Sequence, residues 1–173
     1  MSELPPHLRV RALVVDVDGV MTDTGLILGP DGEGKVFSSL DGQGIKYFLR
    51  AGHQVAILTG RRSRSVELRA AELGIEAVVQ DAKVKLVELK KIAERLKVGL
   101  EEICYIGDDL ADLPCMRAVG LAVAVANAVE PVRRAAACVT RCAGGRGAVR
   151  EVIEWILKSQ GRWAALMKRY EDV

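Results

Sequence analysis

Short, β-branched apolar runs alternate with longer stretches of helical period along the chain. Residues 10–15, 54–58, 77–79, 103–106, 121–125 and 138–140 read as buried strands. Between them, 44–51, 62–73, 84–96, 110–118 and 129–136 carry helical patterns, and 147–160 predicts a final amphipathic helix. Leu86, Leu89, Ile92, Ala93 and Leu96 form one apolar face of the 84–96 helix. Gly52 and Gly74 stand where helices close, Gly74 as a left-handed C-terminal glycine. Residues 25–28 and 35–37 flank Gly29-Pro30-Asp31-Gly32-Glu33-Gly34, a segment rich in turn formers. That predicts a β-hairpin projecting from the sheet. The tail from Gly161 is polar and basic and reads as loosely ordered. Repeated β-α-β units with right-handed crossovers predict an α/β fold, a doubly wound, Rossmann-like and mostly parallel sheet. One domain is expected to span 1–173, with no internal repeat, low-complexity segment or linker.

Composition narrows this picture. The chain has 173 residues, enough for a substantial core; half are hydrophobic but only 4% are aromatic. The core must therefore be built from Val, Leu, Ile and Ala, as suits parallel strands flanked by helices. The 25 basic and 23 acidic residues leave a net charge of +2, too balanced to point to a nucleic-acid partner. Cys104, Cys115, Cys138 and Cys142 form no C-x-x-C pair and have no histidine nearby, so reduced thiols are expected rather than a zinc site. No window approaches the ~20 apolar residues of a membrane helix, and residues 1–11 lack an apolar signal core. A cytoplasmic protein without a membrane partner is the expectation.

The candidate chemistry lies where strands end. The first strand runs into Asp16-Val17-Asp18-Gly19, the second into Thr59-Gly60-Arg61, and the fourth into Gly107-Asp108-Asp109-Leu110-Ala111-Asp112. Lys85 opens the helix after strand three. In a parallel sheet all of these fall on the carboxyl edge, where open α/β folds place their ligand crevice. Carboxylates converging there repel unless a cation offsets them, and hard oxygen ligands suit Mg²⁺. The Thr59 hydroxyl, the Lys85 ammonium and the backbone N–H groups near Gly19 and Gly60 would then face phosphoryl oxygens.

These four motifs, in this order over positions 16–112, resemble those of the haloacid dehalogenase superfamily of phosphotransferases. The resemblance implies that Asp16 is a nucleophile forming an aspartyl-phosphate. It implies that Asp18 protonates the leaving alkoxide and then deprotonates water. Thr59, Gly60 and Lys85 would hold the phosphoryl group. Asp16, Asp108 and the backbone carbonyl of Asp18 would hold Mg²⁺. Asp109 would be a second ligand or a partner orienting Lys85, and Asp112 would lie behind the ligands. Superfamily members often carry an inserted cap. Here 41 positions separate Asp18 from Thr59 and 26 separate Thr59 from Lys85, which leaves no room for one. An open site must take a large substrate or be closed by a neighbouring subunit.

Over nearly the whole chain the sequence is most similar to the 3-deoxy-D-manno-octulosonate 8-phosphate (KDO 8-phosphate) phosphatases. The similar segments are Asp16–Asp23, Asp41–Lys46, Leu58–Arg61, Gly107–Asp109, Ala124–Ala128 and Gly144–Glu151. The resemblance implies hydrolysis of a small-molecule sugar-acid phosphate and a homotetramer whose hairpins assemble centrally. It further implies that Arg61 and Arg146 meet the anionic sugar acid, Arg146 across a subunit boundary. A planar guanidinium suits a carboxylate bidentately. Leu40 stands where many relatives carry arginine, so a nonulosonate 9-phosphate remains a competing substrate. His53 is read as a polar residue at a helix end, and Trp155 as core or interface. Two other classes are weighed. A phospho-acceptor receiver domain would need an Asp ending strand three, but Asp81 lies two residues beyond Val79 and the second Asp pair follows Lys85. A non-catalytic phosphatase-like assembly domain is opposed by the intact Asp16/Asp18 pair.

Overall fold

A computed structural model describes residues 5–29 and 32–171. Pro30 and Asp31 of the expected hairpin turn, and residues 1–4 and 172–173, lie outside the described residues. In chain order the elements are α1 (Pro6–Arg9), β1 (Ala12–Val15), β2 (Ile27–Gly29), β3 (Gly32–Gly34), α2 (Ser39–Arg50), β4 (Gln54–Leu58), α3 (Arg64–Leu73), β5 (Ala77–Val79) and α4 (Lys85–Leu96). They continue with β6 (Ile103–Gly107), α5 (Leu113–Met116), β7 (Leu121–Ala124), α6 (Glu130–Ala135), β8 (Cys138–Val139), α7 (Ala148–Ser159) and α8 (Trp163–Glu171).

Six strands form one sheet in the order β5-β4-β1-β6-β7-β8, and every pairing in it is parallel. β2 and β3 pair separately as an antiparallel hairpin. All four residues of β1 and all five of β6 are buried. Strands covered by helices on both faces need apolar side chains on both sides, which is why these runs do not alternate. In the central trio, Ala12 lies opposite both Gln54 and Ile103, so β1, β4 and β6 end side by side. The polar residues that follow them are thereby brought to one edge.

Two expectations need correction. α2 begins at Ser39 rather than 44, because the Ser38 side chain accepts the Asp41 N–H at 3.2 Å and starts the helix earlier. Its glycines weaken the helical signal but serve packing: a Cβ on Gly44 would stand 3.1 Å from Arg150 Cα. Asp41, on the same turn, is buried and accepts the N–H groups of Gly147 (3.2 Å) and Arg150 (2.8 Å), fastening α2 to the start of α7. The tail is also ordered: 163–171 is a helix, anchored by Trp163 edge-on to Tyr47 with centroids 5.9 Å apart. Burying a face of an amphipathic helix outweighed its polar composition. His53 does stand at a helix end, its N–H reaching the Phe48 carbonyl of α2 at 3.2 Å, but it is buried there. It is 7% exposed and stacked on Phe48 at 4.4 Å, and burial lowers its pKa. Trp155 lies half-exposed, its ring 5.2 Å from His7. Among the described residues no helix is long and apolar enough to cross a membrane.

Candidate active site

The backbone does not continue straight past β1. Val17–Met21 forms one wide turn, with the Thr22 N–H reaching the Val17 carbonyl at 3.0 Å. Within it Gly19 adopts φ +89°, a conformation that costs other residues energy. A Cβ at Gly19 would fall 2.0 Å from Asp108 Oδ2, so the glycine also lets the β1 and β6 loops approach. Behind this turn lies the Gly-rich loop before α7. Gly145 donates its N–H to the Val20 carbonyl at 2.9 Å, and a Cβ on Gly144 would fall 1.7 Å from the Gly19 carbonyl oxygen.

Asp16 is 6% exposed. Its Oδ1 accepts the Val17 N–H at 2.7 Å, and its Oδ2 is 2.8 Å from Lys85 Nζ. Lys85 is the first residue of α4, a place where the helix dipole disfavours a cation. Two carboxylates compensate, Asp16 and Asp112, the latter at 2.7 Å. Burial works against the Lys85 charge, but the paired carboxylates outweigh it and hold its pKa above the usual lysine value. Asp112 is fully buried and saturated. Its Oδ1 takes Lys85 and the Tyr105 hydroxyl (2.7 Å), and its Oδ2 takes the N–H groups of Asp108 (3.0 Å) and Asp109 (3.2 Å). Asp109 itself is exposed, and its carboxylate caps the Leu110 N–H at 2.8 Å. The expectation that Asp109 orients Lys85 is therefore corrected: Asp112 does so, because the turn 110–112 swings its side chain inward.

Carboxylate oxygens of Asp16, Asp108 and Asp112 lie within 4.8 Å of one another. Burial and the crowding of like charges push Asp108 up to about 7; burial, partly offset by Lys85, pushes Asp16 up to about 6. Asp108 Oδ1 is buried with no hydrogen-bond partner. Hard anionic oxygens, an unpaired buried acceptor and protonation favoured only by repulsion are what a divalent cation site presents, and the donor set fits Mg²⁺.

Thr59 is 2% exposed and directly follows β4, and the backbone hydrogen bonds of Thr59 to Val79 (3.0 Å) and Ala82 (3.1 Å) lock it there. Gly60 and Arg61 are exposed beyond it. Arg61 contacts Glu33 through Nη2, and its Nε lies 3.9 Å from Asp18 Oδ2. Arg146 is exposed and pairs with Asp23 at 2.8 Å. The structure thus gathers Asp16, Lys85, Asp108 and Asp112 tightly, sets Asp18 and Arg61 beside them, and leaves Arg146 paired to the loop after Gly19.

Sequence reading missed the hairpin's part in this. Its strand β2 is exposed throughout, as expected of a projection, but its foot also reaches the site: the Lys35 ammonium meets Asp18 Oδ1 and, at 2.6 Å, Glu33 Oε1. The signal available was the i, i+2 spacing of Glu33 and Lys35, which puts an acid and a base on one side of a strand. Tyr105, hidden within an apolar strand, was likewise missed as the partner of Asp112.

Comparison with known proteins agrees with this geometry. Residues 77–153 match the haloacid dehalogenase-like hydrolase family. The 3-deoxy-D-manno-octulosonate 8-phosphate phosphatase of Escherichia coli K12 is 46% identical over 155 residues, covering 89% of this chain and 82% of that protein. A crystal structure of the Moraxella catarrhalis enzyme of the same name, in complex with magnesium ion, phosphate ion and KDO, superimposes with a TM-score of 0.92. It is 37% identical and covers 95% of each chain. A probable YrbI-family phosphatase from Pseudomonas syringae gives 0.92 at 47% identity, covering 95% of this chain and 94% of that one. A sheet of this order, an acidic cluster of this composition and identity at this level over most of both chains lead to one conclusion: the chain belongs to the 3-deoxy-D-manno-octulosonate 8-phosphate phosphatase family of the haloacid dehalogenase-like hydrolases.

Proposed function

We propose that the chain is an Mg²⁺-dependent phosphatase that hydrolyses 3-deoxy-D-manno-octulosonate 8-phosphate to KDO and phosphate, with the steps divided among its residues as follows. Asp16 attacks phosphorus through the oxygen that Lys85 now holds, displacing the sugar oxygen and forming an aspartyl-phosphate. Asp18 gives its proton to the departing oxygen, then takes one from the water that attacks the aspartyl-phosphate, so Asp16 and phosphate are released. Thr59, the Gly60 N–H and Lys85 hold the phosphoryl oxygens. Asp112 fixes Lys85, and Asp109 shapes the β6 loop through its backbone N–H. Asp16, Asp108 and the Asp18 carbonyl would hold Mg²⁺, which supplies positive charge against the repulsion between carboxylate and phosphate. Arg61 and Arg146 are the proposed readers of the sugar's carboxylate, and both present guanidinium groups that are mostly solvent-facing.

The observation that carries this reading is the Asp16–Lys85–Asp112 triplet beside the unpaired Asp108 oxygen. A binding module gains nothing from a buried nucleophile held at both oxygens, whereas phosphoryl transfer depends on such positioning. The bare foot of the hairpin bears on assembly. Leu26, Ile27, Leu28 and Val36 are exposed at 44, 55, 76 and 62%, an apolar strip suited to the central packing of a homotetramer in the cytoplasm.

Phosphate release should be measured with Mg²⁺, and with chelator, on octulosonate 8-phosphate, nonulosonate 9-phosphates and hexose phosphates. Strong preference for the octulosonate supports the reading. A preference for a nonulosonate would favour the alternative raised by Leu40, which shares a surface groove with Arg146 and Arg150. No release from any substrate would refute the phosphatase.

A further inference from the structure

The proposed chemistry does not use the placement of Lys35. It follows β3 directly, yet its side chain is 1% exposed. Its ammonium bridges Asp18 Oδ1 and Glu33 Oε1. The other oxygen of Glu33 takes Arg61, and the Glu33 carbonyl accepts the hydroxyls of Ser63 (3.1 Å) and Ser65 (3.3 Å). The hairpin foot is thereby tied to the start of α3, and Lys35 cannot retreat without breaking that tie.

Burying an ammonium is unfavourable unless it is paired, and an apolar side chain of the same length would fill the space without that cost. The effect of the charge is directional. Asp18 lies two residues from Asp16, but its carboxylate does not join the group formed by Asp16, Asp108 and Asp112. Lys35 and Arg61 are its cationic partners instead. A free carboxylate next to a cation site would swing in and bind the cation, where it could no longer hand over a proton.

We propose that Lys35 is a positioning residue for the phosphatase reaction: it keeps the Asp18 carboxylate out of the acidic cluster and aimed at the leaving oxygen. The site then uses two lysines for two carboxylates, Lys85 for Asp16 and Lys35 for Asp18. This rests on the proposed role of Asp18 as proton donor, so the test separates the two.

The experiment compares Lys35→Met, Lys35→Arg and Asp18→Asn on an alkyl sugar phosphate and on p-nitrophenyl phosphate, whose phenolate leaves without a proton. Lys35→Met should lower kcat/KM, which reports the steps up to departure of the leaving group and not the later attack of water, by about 100-fold on the sugar phosphate and by less than about five-fold on p-nitrophenyl phosphate. Lys35→Arg should restore most of the loss. Asp18→Asn should show the same split between leaving groups. Equal losses of kcat/KM for Lys35→Met on both substrates would mark a merely structural role and overturn the proposal, as would unchanged kcat/KM on the sugar phosphate. If Asp18→Asn shows no split, the proton-donor reading falls and the proposal with it. If Asp18→Asn shows the split and Lys35→Met does not, only the role of Lys35 is lost. Should Lys35→Met fail to fold, Glu33→Gln, which frees Lys35 while keeping its charge, should give a smaller split in the same direction; no split there would also overturn the proposal.

Discussion

Asp112 illustrates how the site is held at the scale of single residues. It has no solvent exposure and accepts from an ammonium, a phenol hydroxyl and two backbone N–H groups. Removing it leaves all four donors short of an acceptor, two of them, the Lys85 ammonium and the Tyr105 hydroxyl, in buried hydrogen bonds. Asp112→Ala should destabilise the protein by about 3–5 kcal/mol in urea unfolding. Asp16→Asn should lower kcat by about a thousand-fold or more while melting close to the wild type, since the amide keeps the bond from the Val17 N–H. The carboxyls also predict a pH effect. Asp16 and Asp108 are raised from an ordinary 3.8 to about 6 and about 7. A carboxyl whose folded pKa is raised contributes stability below its unfolded value and loses it as pH rises through the folded value. Metal-free protein should therefore lose stability as pH rises from about 4 to about 7. Mg²⁺ should restore it at neutral pH and release protons on binding near pH 6–7, measurable by calorimetry in buffers of different ionisation enthalpy. Asp16, Asp18 and Asp108 stood out in the sequence because polar residues follow apolar strands there, and Lys85 because it opens the helix on the same edge. Tyr105 did not, since a tyrosine in a strand reads as core until its hydroxyl finds Asp112.

At the scale of elements, the loop after β1 is shaped by contact between two glycine-bearing segments. Gly144 meets the Gly19 carbonyl backbone to backbone, where no side chain can move aside. Gly144→Ala should force the turn at Asp18 and Gly19 to shift, costing about 1–3 kcal/mol of stability. It should also weaken Mg²⁺ binding, and titration of the variant by calorimetry checks both effects against the wild type. The segment from Gly144 to Glu151 was visible in the sequence as family-like, but its work was not. Its glycines pack on the loop after β1, and Glu151 accepts the N–H groups of Arg141 (3.1 Å) and Cys142 (2.9 Å), folding the loop back on α7. The α2 boundary was obscured for the related reason that Gly42 and Gly44 weaken helix propensity locally while permitting close approach to Arg69 and Arg150.

At the scale of the molecule, the apolar strip on the hairpin predicts assembly. Wild-type protein should elute as a tetramer, and Leu28→Glu should yield smaller species with little change in melting of the isolated fold, because Leu28 is 76% exposed. A wild-type monomer by light scattering would sink the tetramer. The sequence by itself determined the order of strands and helices, the parallel sheet and the edge on which the acids gather. Those follow from apolar runs and from motif order, both of which are local in the chain. Only the tertiary structure decided that Asp112 rather than Asp109 serves Lys85, that the tail docks as α8, and that the hairpin foot brings Lys35 onto Asp18. Each of these is a contact between segments 17 to 120 positions apart. The choice among partners at such separations depends on which way a turn rotates a side chain, and sequence periodicity does not carry that information.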